Sequence, residues 1–145
     1  MKKTIRSILS VTLVLLMLFS ICSLAACKEP TPTDLLWETA TYTKDTTLGS
    51  GSKSITVQVT AGDKSITFTL KTDKETLEDV MKENSLVEGD ESQYGLYIKK
   101  VNGILADYDV DATYWGINAD GEPIATGASG VTVQEGVVYE FIRKQ

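Results

Sequence analysis

The sequence has no histidine in its 145 residues. That removes the side chain most often used as a general base near neutral pH, and the commonest metal ligand. Cysteine is almost as scarce: the two present are Cys22 and Cys27, and no thiol follows them. The rest of the chain therefore has no disulfide, no cysteine nucleophile and no thiolate metal site. The serines, Ser85 and Ser129 among them, have no visible activating partner in the sequence. No catalytic constellation emerges, and the expectation is that the chain is not an enzyme.

Positive charge is also scarce. Residues 1–27 hold three of the 14 Lys/Arg and none of the 20 Asp/Glu, which leaves a net charge of about −9 from residue 28 onward. Nucleic acid and anionic lipid are poor partners for such a surface.

The start of the chain has its own character. Lys2, Lys3 and Arg6 precede an apolar run from Ile8 to Ala26, then Leu24-Ala25-Ala26-Cys27. A charged start, an apolar middle and small residues before a cut make a signal sequence over 1–26. The ending resembles the lipobox of bacterial lipoproteins, which implies that Cys27 carries the lipid and becomes the mature N-terminus. The expected location is the outer face of the cytoplasmic membrane, with the membrane itself as one partner. An uncleaved transmembrane anchor is the alternative, because the run is near the minimum spanning length.

Residues 27–52 are rich in Thr, Pro, Gly and Ser and read as a flexible tether. A random coil of this length spans on the order of 25–30 Å. Trp37 and Tyr42 are unusual in a linker, and they either dock on the domain or extend it by an edge strand.

The folded domain is expected over 53–145. "SITVQVT" (54–60) and "SITFTLKT" (65–72) alternate around a turn at Gly62-Asp63 and predict a hairpin. "TDKETLEDVMKEN" (72–84) predicts a helix with Leu77, Val80 and Met81 on its buried stripe. Thr72 and Glu75 have capping-box spacing. "SLVEGDESQ" (85–93) reads as a short strand or loop turning at Gly89-Asp90. "YGLYIKKVNGILADY" (94–108) reads as two strands around Asn102-Gly103, and "TYWGIN" with "EPIATG" as a hairpin around Asp120-Gly121. "GVTVQEG" and "VVYEFIRK" close the sheet. This order predicts an α+β fold: a β-grasp-like antiparallel sheet with one packed helix.

Several of these stretches together resemble a bacterial family of unknown function related to the C-terminal domain of transcobalamin and intrinsic factor. They are the Thr-Leu start of the helix, "YGLYIKKVNG", Tyr114-Trp115, the Gly121–Gly127 "GxPxxxG" hairpin and the Glu135-Gly136 turn. Val137 stands where an Asp often follows in that family. The resemblance implies a corrinoid as candidate ligand, met from one side only, because no larger helical domain is present.

Tyr114 and Trp115 are strand neighbours and point to opposite faces. One enters the core; the other offers a stacking platform beside a Gly-rich hairpin. The expected contact set is Tyr114, Trp115, Asn118 and Gly127. Asp107, Asp109 and Asp111 alternate as in a calcium loop, but the sixth position is Ala112 and the twelfth Asn118. No metal site is therefore expected there. Two function classes remain: a small-ligand binder, and an adhesive or structural surface domain that binds a protein or cell-wall glycan by strand addition or stacking.

Overall fold

The computed structural model describes residues 30–145. The expected signal sequence and Cys27 lie outside the described residues. Strands β1 (Thr46–Gly49), β2 (Lys53–Ala61) and β3 (Lys64–Thr72) open the main sheet. Alternation fixes how β2 and β3 sit: Ile55, Val57, Val59, Phe68 and Leu70 are fully buried, and the residues between them are not. The pairing is antiparallel through all nine positions, from Lys53↔Thr72 to Ala61↔Lys64. The turn between them uses Gly62 at φ +66, a conformation that favours glycine.

After β3 the chain forms α2 (Leu77–Glu83), preceded in the sequence by the short α1 (Pro32–Trp37). Leu77, Val80 and Met81 on α2 are fully buried, as their spacing predicts. The start of the helix differs from expectation. Its cap is Thr76, whose Oγ1 accepts from Asp79 N at 3.2 Å, not Thr72. The reason lies in a second segment: Leu77 N donates to Val131 O and Val133 N to Glu75 O, and Thr76 bridges Thr132. These bonds hold Thr76 extended at the mouth of the helix. Thr72 Oγ1 instead takes Lys74 N and donates to Glu83.

A second sheet follows, in the order β4 (Val87–Ser92), β5 (Gly95–Val101), β6 (Ile104–Leu105). The expected turn at Gly89-Asp90 is absent. Gly89 lies inside β4 at a bulge, where an added Cβ would collide with the Tyr97 carbonyl. The chain reverses at Gln93-Tyr94 instead. Short α3 (Tyr108–Asp111) leads into β7 (Tyr114–Ala119), β8 (Glu122–Pro123), a 3-10 turn at Ala128–Gly130 and β9 (Val138–Lys144). Residues 130–136 make only the Thr132 bridge, not the expected strand.

The main sheet runs β1-β3-β2-β9-β7-β8. It is mixed, because β1 lies parallel to β3 and β9 parallel to β2. The excursion from α2 to residue 137 returns the chain at the start of β2, where β3 ended, and the long crossover permits parallel pairing. The α+β class holds, with two sheets in place of one antiparallel sheet.

The segment expected to be a tether is ordered structure over much of its length. Thr31 and Asp34 form a full capping box on α1. Trp37 is buried, and its Nε1 donates to Ala61 O at 3.0 Å. Lys64 Nζ stands 4.7 Å from the centre of its ring. Asn102 bonds both Tyr42 N and Tyr42 O through its side chain. With β1 as an edge strand, the folded unit reaches back to α1. Among the described residues, no helix is long and apolar enough to cross a membrane.

Candidate ligand cleft

Register decides what β7 presents. Trp115 pairs with Arg143, Ile117 with Phe141 and Ala119 with Tyr139, so these residues share the core face. Tyr114, Gly116 and Asn118 point the other way. On its outer side β7 is covered only by β8, which pairs with Asn118 and Ala119, and by Ile124 N donating to Ile117 O. Beside residues 114–116 that edge has no strand.

Across this gap stands β5. Leu96–Ile98 of β5, Tyr114–Ile117 of β7 and Ile124–Ala128 of the connecting loop line a cleft of about 350 Å³. That is at the lower end of small-ligand pockets. No lining residue carries a charge, and three are aromatic: Tyr97, Tyr114 and Trp115. Trp115 is 8% exposed, and its Nε1 is buried with no hydrogen-bond partner among the described residues. A buried donor without an acceptor is costly.

The walls are fixed by polar ties behind them. Buried Glu78 accepts Leu96 N at 3.0 Å with Oε2 and holds Lys82 at 2.8 Å with Oε1, joining β5 to α2. Ser129 Oγ donates to Tyr94 O at 3.0 Å and joins the loop to the β4–β5 turn. Arg143, opposite Trp115, donates to Leu105 O and pairs with Asp111 at 2.6 Å.

Of the expected contact residues, Tyr114, Trp115 and Gly127 meet at the cleft. Asn118 does not: it lies farther along β7, where β8 pairs with it at Pro123, and it is buried with Oδ1 unpartnered among the described residues. The sequence reading missed Leu96–Ile98 and Ile124–Thr126. "YGLYIKK" marks a strand, but nothing in it says that its side opposes β7.

The acidic residues are occupied structurally. Asp107 Oδ1 caps α3, accepting Asp109 N at 3.1 Å. Its other oxygen lies 3.0 Å from Lys99 Nζ, which also reaches Asp90 at 2.9 Å. Lys82 is clasped in the same way by Glu78 and Glu91. Hydrogen bonds donated to these carboxylates hold both lysines above their ordinary range. Asp111 is held below the ordinary value of 3.8, first by the Thr113 hydroxyl and then by Thr113 N and Arg143. Among the described residues, no group of three or more acidic, cysteine or histidine side chains is placed to hold a metal.

With this geometry in view, comparison with known proteins is informative. The model of a domain of unknown function, DUF4430, matches residues 74–141. Among solved structures, a candidate metal-binding protein of Ruminococcus gnavus is similar at 35% identity and a TM-score of 0.61. That similarity covers 65% of this chain and 98% of that one. Haptocorrin in complex with Cbi is similar at 23% identity and a TM-score of 0.50, over 68% of this chain and 26% of haptocorrin. This second likeness is one of fold. No curated protein matches the sequence. In this chain the carboxylates of Glu78, Glu91, Asp90 and Asp107 pair with Lys82 and Lys99. The matched family model and the near-complete alignment with the R. gnavus relative place the chain in the DUF4430 family of domains of unknown function.

Proposed function

We propose that this chain is a non-catalytic binding module, anchored by lipid on Cys27 at the outer face of the cytoplasmic membrane. It takes a small ligand in the β5–β7 cleft, between Tyr97, Tyr114 and Trp115. The observation that carries this reading is an uncharged cleft lined by three aromatic rings, one of them Trp115, whose buried Nε1 has no acceptor among the described residues. A corrinoid is the first candidate. The haptocorrin relative was solved with Cbi, and the family resemblance points the same way. A cleft of about 350 Å³ grips an edge or side group of a corrin, not the whole ring.

The test is calorimetric titration of the chain with a corrinoid panel, repeated on Trp115→Phe, which keeps a ring and removes the donor. Micromolar binding that weakens about three- to tenfold in the variant supports the reading, since a neutral hydrogen bond contributes about 0.5–1.5 kcal/mol. Binding unaltered in Trp115→Phe removes the indole from the site. The anchor has a separate test. Mass spectrometry of the protein from membranes should find a diacylated Cys27, and Cys27→Ser should abolish it.

The open edge of β7 at 114–116 supports a second reading, an adhesive or structural module that captures an extended segment by strand addition. Such a module ignores corrinoids and retains a protein or glycan partner.

A further inference from the structure

Five of the eight large apolar side chains exposed among the described residues gather at one end of the main sheet, while Tyr94 and Tyr97 lie on the β4–β5 hairpin. Tyr114 pairs with Lys144 at the finish of β9. β9 runs parallel to β2, whose last residue, Ala61, receives the Trp37 indole of α1. The same end meets β6 and α3, because Arg143 donates to Leu105 O and pairs with Asp111. Leu35, Leu105, Tyr108, Val110 and Tyr114 are all exposed on these elements, Tyr108 at 62% and Val110 at 70%. The opposite end of β9 offers only Val138.

The chain enters the domain at this crowded end. α1 begins at Pro32, five residues after Cys27, and five extended residues reach at most about 18 Å. A lipid on Cys27 therefore holds this end, and no other, close to the bilayer. We infer that Leu35, Tyr108, Val110 and Tyr114 form a membrane-contact surface that seats the domain on the bilayer in one orientation. This rests on the lipid anchor proposed above.

The chemistry fits an interface. Tyrosine and short aliphatic side chains favour the zone where headgroups meet acyl chains. Charge at this end is mixed, with Lys64 and Lys144 beside Asp63 and Asp109, so the contact is apolar and does not require anionic lipid. The patch is too small to bind a bilayer alone. A tether of a few residues raises its effective concentration to the millimolar range, where weak contacts are engaged. Tyr114 belongs both to this surface and to the cleft rim, so the cleft faces the membrane side.

The experiment uses residues 27–145, which contain every described element and one thiol, coupled through Cys27 to a maleimide lipid in brominated phosphatidylcholine vesicles. Trp37 and Trp115 are buried and give a low quenching background. Val110→Trp should lose emission several-fold relative to unbrominated vesicles, while Val138→Trp should not change. Equal quenching at both positions overturns the proposal. So does quenching at neither, including the case where the chain pairs through this patch and elutes as a dimer. The coupling supplies the anchor chemically, so failure here is separate from failure to find lipid on Cys27 in cells.

Discussion

Two neighbouring residues show what the sequence can and cannot specify. Alternation places Tyr114 and Trp115 on opposite faces of a strand. Which one enters the core depends on the register with β9, where Trp115 meets Arg143. Asn118 shares the Tyr114 face but sits where β8 covers β7, and so leaves the expected contact set. Gly127 does join the cleft, yet a Cβ there would make only ordinary contacts, at 3.6 Å from Tyr94 O and 3.9 Å from Ser129 Oγ. Gly127→Ala should therefore keep the melting temperature within a degree or two of wild type, as scanning calorimetry would check. Asp111 supplies a pH prediction. Its folded value lies below 3.8, so its tie to Thr113 and Arg143 is complete above that value and is lost as pH falls through the lowered one. Urea midpoints from pH 6 to pH 2 should fall less steeply at the acid end for Asp111→Asn than for wild type.

Among the elements, the β2–β3 hairpin and the α2 stripe were legible because they depend on local periodicity. The cap of α2 was not, because Thr72–Glu75 and Thr76–Asp79 both offer the right spacing, and the tertiary bonds from Val131 and Val133 choose between them. Thr76→Ala should cost about 1 kcal/mol in chemical denaturation, and Glu75→Ala much less. A larger loss in Glu75→Ala would return the cap to Thr72. The segment before β2 was read as a tether from its Thr, Pro and Gly content, yet Trp37 docks it. Composition does not reveal a docking partner that lies 24 residues away. Trp37→Ala should destabilise the whole domain by about 3–5 kcal/mol, in a single transition shared with the sheet. Separate melting of residues 30–49 would show that α1 and β1 are an appendage.

At the scale of the molecule, the two sheets create the site by facing each other without pairing. β4-β5-β6 stands across from the uncovered part of β7, and the loop after β8 closes the third side. Neither sheet holds the cleft alone, which is why no contiguous motif announced it. The α+β class came from element order and the family resemblance from short motifs such as "YGLYIKKVNG" and Tyr114-Trp115; the second sheet and the mixed pairing came from neither, since both depend on contacts distant in sequence. The chain is acidic overall but the cleft carries no charge. Binding in it should be nearly independent of pH between about 5 and 9, because no carboxylate or amine lines it. A strong pH dependence would place the ligand elsewhere. The most direct measurement is a titration followed by amide NMR, with a corrinoid panel added to residues 30–145. The cleft account predicts shifts that saturate together and cluster at 96–98, 114–117 and 124–128. Saturable shifts confined to the outer face of β2 and β3, or no shifts with any corrinoid, would contradict it.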